Sequence, residues 1–317
     1  MYEIRGIHHV TGMTSRAETA YRFFTEILGL RLIKRTLNYD DIQTYHLYFA
    51  DDIGTPGTDI DFFDFPDQGP AVLGNNQVRM ATFRVRSDEA IDFWQERFTE
   101  LGIVTAAPYL FFGKKVLPFE DGDGAEYLLI SDEWDAGEAG GRPWAESPVP
   151  PEYGIIGLGP VIMKVADGRL LDLVLRDVLA FEMTAQEGNY LYYEVDEGGN
   201  GASLIVEESD EETGESGYGS IHHIALRVDD EESLDFWIER IRHFEIQVTD
   251  PVDRLYFKSA YFGASPGIML ELSTDGPGFF VDEPYETSGT TLKLPPFLEE
   301  QREFVERMIR PLQLGDE

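Results

Sequence analysis

Two segments of this 317-residue chain repeat one another at a constant offset. Residues 84–97 (RVRSDEAIDFWQER) and residues 227–240 (RVDDEESLDFWIER) share their first arginine, the tripeptide Asp-Phe-Trp and their last arginine. Self-similarity of this kind indicates that a chain is assembled from copies of one supersecondary unit. The fold must therefore contain at least two equivalent modules.

Two weaker copies of the same plan bring the number of units to four. Each unit begins with a strand-like stretch, continues with apolar residues at helical spacing, and closes with a β-rich run after a turn glycine. The starts lie at 7–16, 78–87, 158–167 and 221–230, further helical patterns at 17–30 and 168–183, and the closing runs at 57–65, 124–132, 201–209 and 267–275. The pattern predicts an α+β fold of four βαβββ modules.

The modules are expected to pair, because a single βαβββ sheet leaves its concave face uncovered. Two modules side by side give an open, U-shaped, eight-strand barrel-like domain around a cavity, and four modules give two such domains. We place the modules at residues 1–66, 76–132, 153–208 and 218–280, and an extended arm with a terminal helix at 281–317.

Composition limits the partners and the chemistry. Sixty acidic and 25 basic residues give a formal charge of −35, which disfavours nucleic acid and anionic membranes, and the scarcity of lysine suggests a halophilic, salt-rich cytoplasm. The absence of cysteine excludes disulfides and thiolate catalysis. Since we see neither a signal region nor a long apolar run, we expect a cytoplasmic protein that does not enter membranes.

Four of the six histidines form two adjacent pairs, His8-His9 and His222-His223. Both pairs fall on the first strand of a module, the first and the fourth, whereas the other two modules carry Arg79-Met80 and Gly159-Pro160 there. Duplication alone would have placed the pair in all four copies. Adjacent strand residues face opposite sides, so we expect one histidine of each pair in the cavity and the other behind it.

Glu271 lies among apolar residues in the closing run of the fourth module. A carboxylate buried on such a strand is costly unless it is paired or binds a metal. Two histidines and one carboxylate match the facial triad that holds non-haem Fe(II) and leaves positions open for substrate and oxygen. These residues come from modules one and four, so those modules are predicted to form the metal-site domain and modules two and three the other.

This organisation resembles the vicinal oxygen chelate superfamily of glyoxalases, fosfomycin and bleomycin resistance proteins and extradiol dioxygenases. More narrowly, it is similar to ring-cleaving dioxygenases of the hydroquinone 1,2-dioxygenase type. The resemblance runs essentially end to end and rests on GIHHVTGMT at the start and on residues 45–58, 220–228, 253–279 and 292–299. In catechol-cleaving relatives the first metal histidine comes from the third module, where this chain has Gly159-Pro160, so the hydroquinone type fits better.

The resemblance implies a site, position by position. Its metal ligands are His9, His223 and Glu271, and the residues matching the family's surrounding positions are His8, Thr11, His222, Arg254 and Tyr261. His8 and His222 would support the ligands or accept a proton, and Tyr261 and Arg254 would hydrogen-bond a phenolate or an oxyanion. His46 and His243 are interpreted as structural.

The function implied is an Fe(II)-dependent ring-cleaving dioxygenase that inserts O2 into a small hydroquinone-like aromatic, with Mn(II) as another metal for the same ligands. The alternative is a metal-dependent glyoxalase-like lyase or isomerase, which uses four protein ligands. Counting from the closing-run glycine puts Asp61 in the fourth position, and aligning on residues 67–70 and 274–277 puts Asp64 there; we expect Asp61 not to bind metal. A third hypothesis is a ligand-sequestering module of the bleomycin-resistance type. Homo-oligomerisation is left open.

Overall fold

The computed structural model describes residues 2–314. Its strands, numbered in chain order, are β1 (Gly6–Thr14), β2 (Arg31–Asn38), β3 (Asp41–Ala50), β4 (Asp59–Asp64), β5 (Gln77–Val85), β6 (Tyr109–Phe111), β7 (Lys114–Glu120), β8 (Glu126–Ser131), β9 (Gly157–Leu158), β10 (Val161–Val165), β11 (Glu182–Glu187), β12 (Tyr190–Glu194), β13 (Ser203–Glu208), β14 (Ile221–Val228), β15 (Val252–Asp253), β16 (Lys258–Ser265) and β17 (Ile268–Thr274). The four predicted closing runs correspond to β4, β8, β13 and β17.

The strands form two open, curled sheets of the same design. The first has the order β15-β16-β17-β14-β1-β4-β3-β2, and the second β11-β12-β13-β10-β5-β8-β7-β6, with β9 added beside β5. In each sheet the first strands of two modules meet antiparallel at the centre, and each lies parallel to the last strand of its own module. The α+β fold of paired βαβββ modules is confirmed, and the first sheet combines strands from residues 6–64 and 221–274.

Four helices follow the first strands of the modules. They are α1 (Ala17–Tyr21), which continues as a π-helical turn over Arg22–Ile27; α2 (Asp88–Leu101); α3 (Arg169–Leu173), which continues as a π-helical turn over Val174–Val178; and α4 (Glu231–His243). The prediction for the third helix extended too far, to residue 183. Leu179 and Phe181 stay buried beyond the helix end, so the apolar spacing does not reveal the turn, where Ala180 has a positive φ of 61°.

The repeated residues of α2 and α4 have equivalent structural roles. Arg97 donates from Nε to the carbonyl oxygen of Ile27 (3.0 Å), and Arg240 donates in the same way to Val178 (2.6 Å). Each arginine thus satisfies a carbonyl at the end of a π-helical turn, where the last carbonyls of a helix lack intrahelical partners. The duplicated sequence therefore encodes the packing of one module's helix against another's.

The C-terminal segment packs on the first sheet. Within the predicted arm and helix lie two short helices, α5 (Pro296–Glu299) and α6 (Arg302–Met308), and residues 315–317 of that segment lie outside the described residues. Arg310 forms an ion pair with Asp64 at 2.9 Å, and the buried Lys34 forms ion pairs with Asp282 and Glu283 at 2.7 and 2.6 Å. Within residues 2–314, no helix has the length and apolar character needed to cross a membrane.

Candidate metal centre

Both histidine pairs lie at β-bulges in the central strand pair. On β1, Ile7 lies opposite Leu226 and His9 opposite Ala225, so His8 is the extra residue; on β14, His222 is extra in the same way. A bulge breaks strict alternation and redirects side chains. Neighbouring rings therefore meet, with Nδ1–Nδ1 distances of 2.8 Å in each pair.

The bulges change the prediction that one histidine of each pair faces the cavity and the other lies behind it. For the first pair the prediction is right, since His9 lines the cavity and His8 is buried behind it. For the second pair it is wrong, since His222 and His223 both line the cavity. Both strands gain a residue here, but the extra residue on β1, His8, is covered by neighbouring elements, whereas the extra residue on β14, His222, is exposed at the cavity.

His9, His223 and Glu271 converge on the floor of one cavity. One ligand atom from each lies within 4.8 Å of the others, and all three side chains are buried. Glu271 Oε2 is 3.5 Å from His9 Nε2 and 2.6 Å from His223 Nε2, yet it makes no hydrogen bond with acceptable geometry. Its other oxygen, Oε1, accepts a hydrogen bond from Ser273 at 2.7 Å, which fixes the carboxylate.

The hydrogen bonds of His8 orient His9 so that its Nε2 faces Glu271. His8 Nε2 lies 3.1 Å from the carbonyl oxygen of Thr274, which only accepts, so His8 Nε2 carries the proton. His8 Nδ1 must then accept from His9 Nδ1, and His9 Nε2 points toward Glu271. A histidine ligand whose second nitrogen donates to a fixed partner is the usual arrangement in metal sites.

The charges around this floor favour a cation. Burial opposes a protonated His9, but the carboxylate of Glu271 outweighs burial and raises the pKa of His9 to about 9. Burial also opposes an ionised Glu271, yet the adjacent His9 lowers the pKa of that carboxyl well below its usual value. Burial and the neighbouring His9 lower the pKa of His8 to about 3, so His8 is neutral. A proton on His9 thus balances the Glu271 carboxylate. A divalent metal ion that displaced this proton would meet anionic and neutral donors and the unpartnered, buried carboxylate oxygen.

The cavity above the three residues has a volume of about 430 Å³ and largely aromatic walls. Phe63, Phe65 and Phe257 line it, and Met269 completes the apolar part. The size and the apolar walls suit a small organic ligand, with a few polar groups left to orient it.

Tyr261 and Arg254 form the polar side of the cavity. Arg254 Nε donates to the Tyr261 hydroxyl at 3.0 Å, and Arg254 Nη1 reaches Asp40 at 3.2 Å. Burial and the charge of Glu271 raise the pKa of Tyr261 far above its usual value, so its hydroxyl stays protonated. Since Arg254 occupies one lone pair, the hydroxyl hydrogen remains available to a ligand. On the floor, Thr11 Oγ1 lies 3.1 Å from His223 Nε2.

His46 also lines the cavity, although the sequence indicated only a structural role. His46 Nε2 is 2.6 Å from Asp61 Oδ1, and its Nδ1 is 2.9 Å from the hydroxyl of Tyr48. The signal was present in β3, because His46 and Tyr48 are two residues apart and so share one face of the strand. His243, by contrast, lies exposed at the end of α4.

Asp61, rather than Asp64, is the counterpart of Glu271. Tyr48 lies opposite Asp61 in the β3–β4 pair, as Tyr261 lies opposite Glu271 in the β16–β17 pair. Asp64 instead accepts a hydrogen bond from the main chain of Tyr45 and pairs with the C-terminal segment. The register that counts from the turn glycine is therefore the structural one.

The second sheet has apolar side chains where the first has this cluster. Leu128 and Ile205, the counterparts of Glu271 counted from the turn glycines, are buried with Phe111, Ile130 and Ile162 in one hydrophobic cluster. Among residues 2–314, the only groups of three or more metal-ligating side chains at this spacing include His9 and lie on the first sheet.

Comparisons with known proteins agree with this architecture. Residues 6–127 and 174–272, well over half of the chain, match the Glyoxalase/Bleomycin resistance protein/Dioxygenase superfamily. The chain belongs to this superfamily. Among its members, the chain is 36% identical over 317 residues to the "Putative ring-cleaving dioxygenase MhqA" of Bacillus subtilis (strain 168), with 98% of this chain and 100% of the relative covered.

Another relative and two solved structures extend the comparison. The chlorohydroquinone/hydroquinone 1,2-dioxygenase of Sphingobium indicum is 29% identical, with 93% of each chain covered. The crystal structure of a "putative dioxygenase" from Bacillus subtilis has a TM-score of 0.91 to this chain at 30% identity, and the match covers both chains completely. Glyoxalase I from Zea mays is 14% identical and has a TM-score of 0.58, with 85% of this chain and 92% of its own chain covered. At this identity the similarity extends only to the fold.

Proposed function

We propose that this protein is an Fe(II)-dependent dioxygenase that cleaves the ring of a hydroquinone-like aromatic. The observation that carries the proposal is the convergence of His9, His223 and Glu271 on the floor of an aromatic-walled cavity. The names of the relatives support the reaction class, and that of the Sphingobium indicum enzyme supports the substrate class.

The proposed ligand set has a clear chemical use. Two histidines and a carboxylate leave coordination positions open, so that Fe(II), when bound, supplies a shared site for a substrate phenolate and O2 and a path for electrons between them. The same oxygen and nitrogen donors accept Mn(II). Cleavage joins both atoms of one O2 to one substrate molecule as a ring bond breaks beside a hydroxyl-bearing carbon, so no other oxidant is needed.

Tyr261 is proposed to orient the substrate. Its neutral hydroxyl, fixed by Arg254, donates a hydrogen bond to a phenolate oxygen or to an oxygen that gains negative charge. Donors held in place before reaction stabilise such charge without reorganising. Arg254 acts through Tyr261 in this arrangement and keeps the hydroxyl hydrogen pointed away from itself.

The bulged histidines are proposed to divide two tasks. His8, buried and bonded to a carbonyl, fixes the orientation of His9. His222 accepts the Nδ1 proton of His223 and keeps Nε2–H, which can donate to a substrate oxygen because this ring lines the cavity. The aromatic walls limit water in the cavity, which strengthens each of these polar contacts.

Oxygen uptake is the direct test of this proposal. Protein reconstituted anaerobically with Fe(II) in high salt should consume one O2 per hydroquinone, with both atoms of labelled O2 in the ring-opened product, and should act poorly on catechol. His9→Ala, His223→Ala and Glu271→Ala should each abolish metal binding and uptake. His243→Ala, which removes an exposed histidine distant in sequence from both pairs, is the matched control and should behave like the wild type.

Two results would contradict the proposal. Uptake that survives any of the three ligand substitutions would exclude the ligand set. A folded, metal-loaded protein that takes up no oxygen with any hydroquinone would exclude the dioxygenase and favour a glyoxalase-like reaction.

A further inference from the structure

Tyr48, His46 and Asp61 form a buried hydrogen-bonded chain that the proposed ligand set does not use. The Tyr48 hydroxyl donates to His46 Nδ1, and His46 Nε2 donates to Asp61 Oδ1, at 2.9 and 2.6 Å. The direction is fixed because the ionised carboxylate of Asp61 can only accept. The chain holds the Asp61 carboxylate in one orientation.

The second oxygen of Asp61 has no partner of its own. Asp61 Oδ2 is buried without a hydrogen bond, and it lies 3.9 Å from His9 Nε2, the nitrogen proposed to bind the ion. An unsatisfied buried carboxylate oxygen costs free energy, so its retention points to a partner during function. The orientation of Oδ2 places that partner beside His9.

The spacing argues against Asp61 as a further ligand. Asp61 groups with His9 and Asp59 within 4.8 Å, but not with His223 and Glu271. Ligand atoms at about 2.0–2.2 Å from one ion lie at most about 4.4 Å apart, so Asp61 joins His9, His223 and Glu271 on one ion only if side chains move. Asp61 is the structural counterpart of Glu271, but its side chain is one methylene shorter. A hydrogen bond to a group beside the ion spans the remaining distance.

We propose that Asp61, oriented by His46, accepts a hydrogen bond from the substrate hydroxyl that lies beside His9 and does not itself bind the ion. This inference rests on the proposed function, since it assigns a contact to the hydroquinone in that site. Asp61 lies below the residues that line the cavity, so it touches only a hydroxyl held on the floor beside His9. His46 is a positioning residue that acts through Asp61.

Binding to Co(II)-loaded protein tests the contact without turnover. Co(II) absorption reports the coordination of the ion, and its change on anaerobic addition of hydroquinone gives a dissociation constant. Asp61→Asn should keep the Co(II) spectrum and affinity of the wild type but weaken hydroquinone binding about 10- to 100-fold, as expected for the loss of a hydrogen bond to a charged group. In the Fe(II) enzyme the KM should rise by a similar factor.

Substitution of His46 separates positioning from folding. His46→Gln keeps an N–H near the position of Nε2 and should bind hydroquinone almost as the wild type does, whereas His46→Ala should weaken binding in the same direction as Asp61→Asn. Thermal unfolding and Co(II) stoichiometry identify any variant that does not fold. If Asp61→Asn does not fold, the comparison of His46→Gln with His46→Ala tests the proposal. Equal losses in His46→Gln and His46→Ala would overturn the positioning role.

The remaining outcomes are distinct from one another. An altered Co(II) spectrum or a tenfold loss of Co(II) affinity in Asp61→Asn would make Asp61 a ligand and overturn the proposal. The same loss in Asp59→Asn as well would place the ion among His9, Asp59 and Asp61, and would also overturn it. If the wild type binds hydroquinone and Asp61→Asn binds it equally well, this inference is overturned but the proposed function is not. No response in the wild type would overturn the proposed function and this inference together.

Discussion

His8 Nε2 donates a hydrogen bond to the main-chain oxygen of Thr274, 3.1 Å away at the end of β17. This contact joins the first module to the last strand of the fourth, and it determines which nitrogen of His9 is free. An interaction that seems only structural thus bears on the chemistry of the cavity floor.

We expect His8→Ala to lower metal affinity about 10- to 100-fold, because the Nδ1 proton of His9 loses its acceptor and the ring its fixed orientation. Competition with a chelator, monitored with Co(II) or Mn(II), measures the change. His8→Asn places an oxygen near the lost acceptor and should recover part of the affinity. Wild-type affinity in His8→Ala would show that His9 needs no such support.

Lys34 is buried between two carboxylates of the C-terminal segment, Asp282 and Glu283. Removing one partner of a buried ion pair leaves charge without compensation, so Lys34→Met should destabilise the protein by about 3–5 kcal/mol in denaturant unfolding. Lys258→Met is the matched control, since Lys258 pairs with Glu231 at the surface and should cost about 1 kcal/mol or less. Similar losses in both variants would contradict this account.

Asp121 should make stability depend on pH between about 4 and 6. Burial raises its pKa from 3.8 to about 6, although the main-chain N–H groups of Asp123 and Ala125 oppose the shift. Between these values the folded state holds a proton that the unfolded state has released, so the contribution of Asp121 to stability falls as pH rises and is then constant above 6. The loss is at most about 3 kcal/mol.

Comparison with Asp121→Asn isolates this effect from the many other carboxylates. The difference in unfolding free energy between wild type and variant should change across that pH range in favour of the wild type at the acidic end. A difference that stays constant with pH would refute the shifted ionisation.

The formal charge of −35 predicts a protein that gains stability with salt. Repulsion among surface carboxylates weakens as the Debye length falls from about 10 Å at 0.1 M to about 3 Å at 1 M. The melting temperature should therefore rise with KCl or NaCl, and most of the rise should occur below about 1 M. A flat profile over this range would argue against the halophilic interpretation.

The architecture could be predicted from the sequence because the same module pattern occurs four times in the chain. The duplicated Asp-Phe-Trp segments and the four closing runs locate equivalent helices and strands. This comparison works even where no single segment has a strong helix or strand propensity. The pairing of the first and fourth modules followed from the histidines alone, since His8-His9 and His222-His223 can cooperate only across one cavity.

The features that were not predicted depend on local backbone geometry, which the spacing of apolar residues does not encode. A bulge adds one residue without changing the composition of a strand, so the shared orientation of His222 and His223 was not predictable by alternation. The position of His46 on the cavity wall was missed for another reason: its partner Asp61 belongs to a different strand, and only the β3–β4 register brings the two together.

The antiparallel contact between β1 and β14 also has a consequence for synthesis of the chain. The partner of β1 begins at Ile221, more than 200 residues after β1 ends at Thr14. At about 5–20 residues per second, a ribosome needs about 10–40 s to produce the intervening segment. During that time one edge of the nascent first module is unpaired and open to wrong partners, and the two histidine pairs cannot yet meet. Metal loading at the proposed centre would therefore follow the translation of the fourth module.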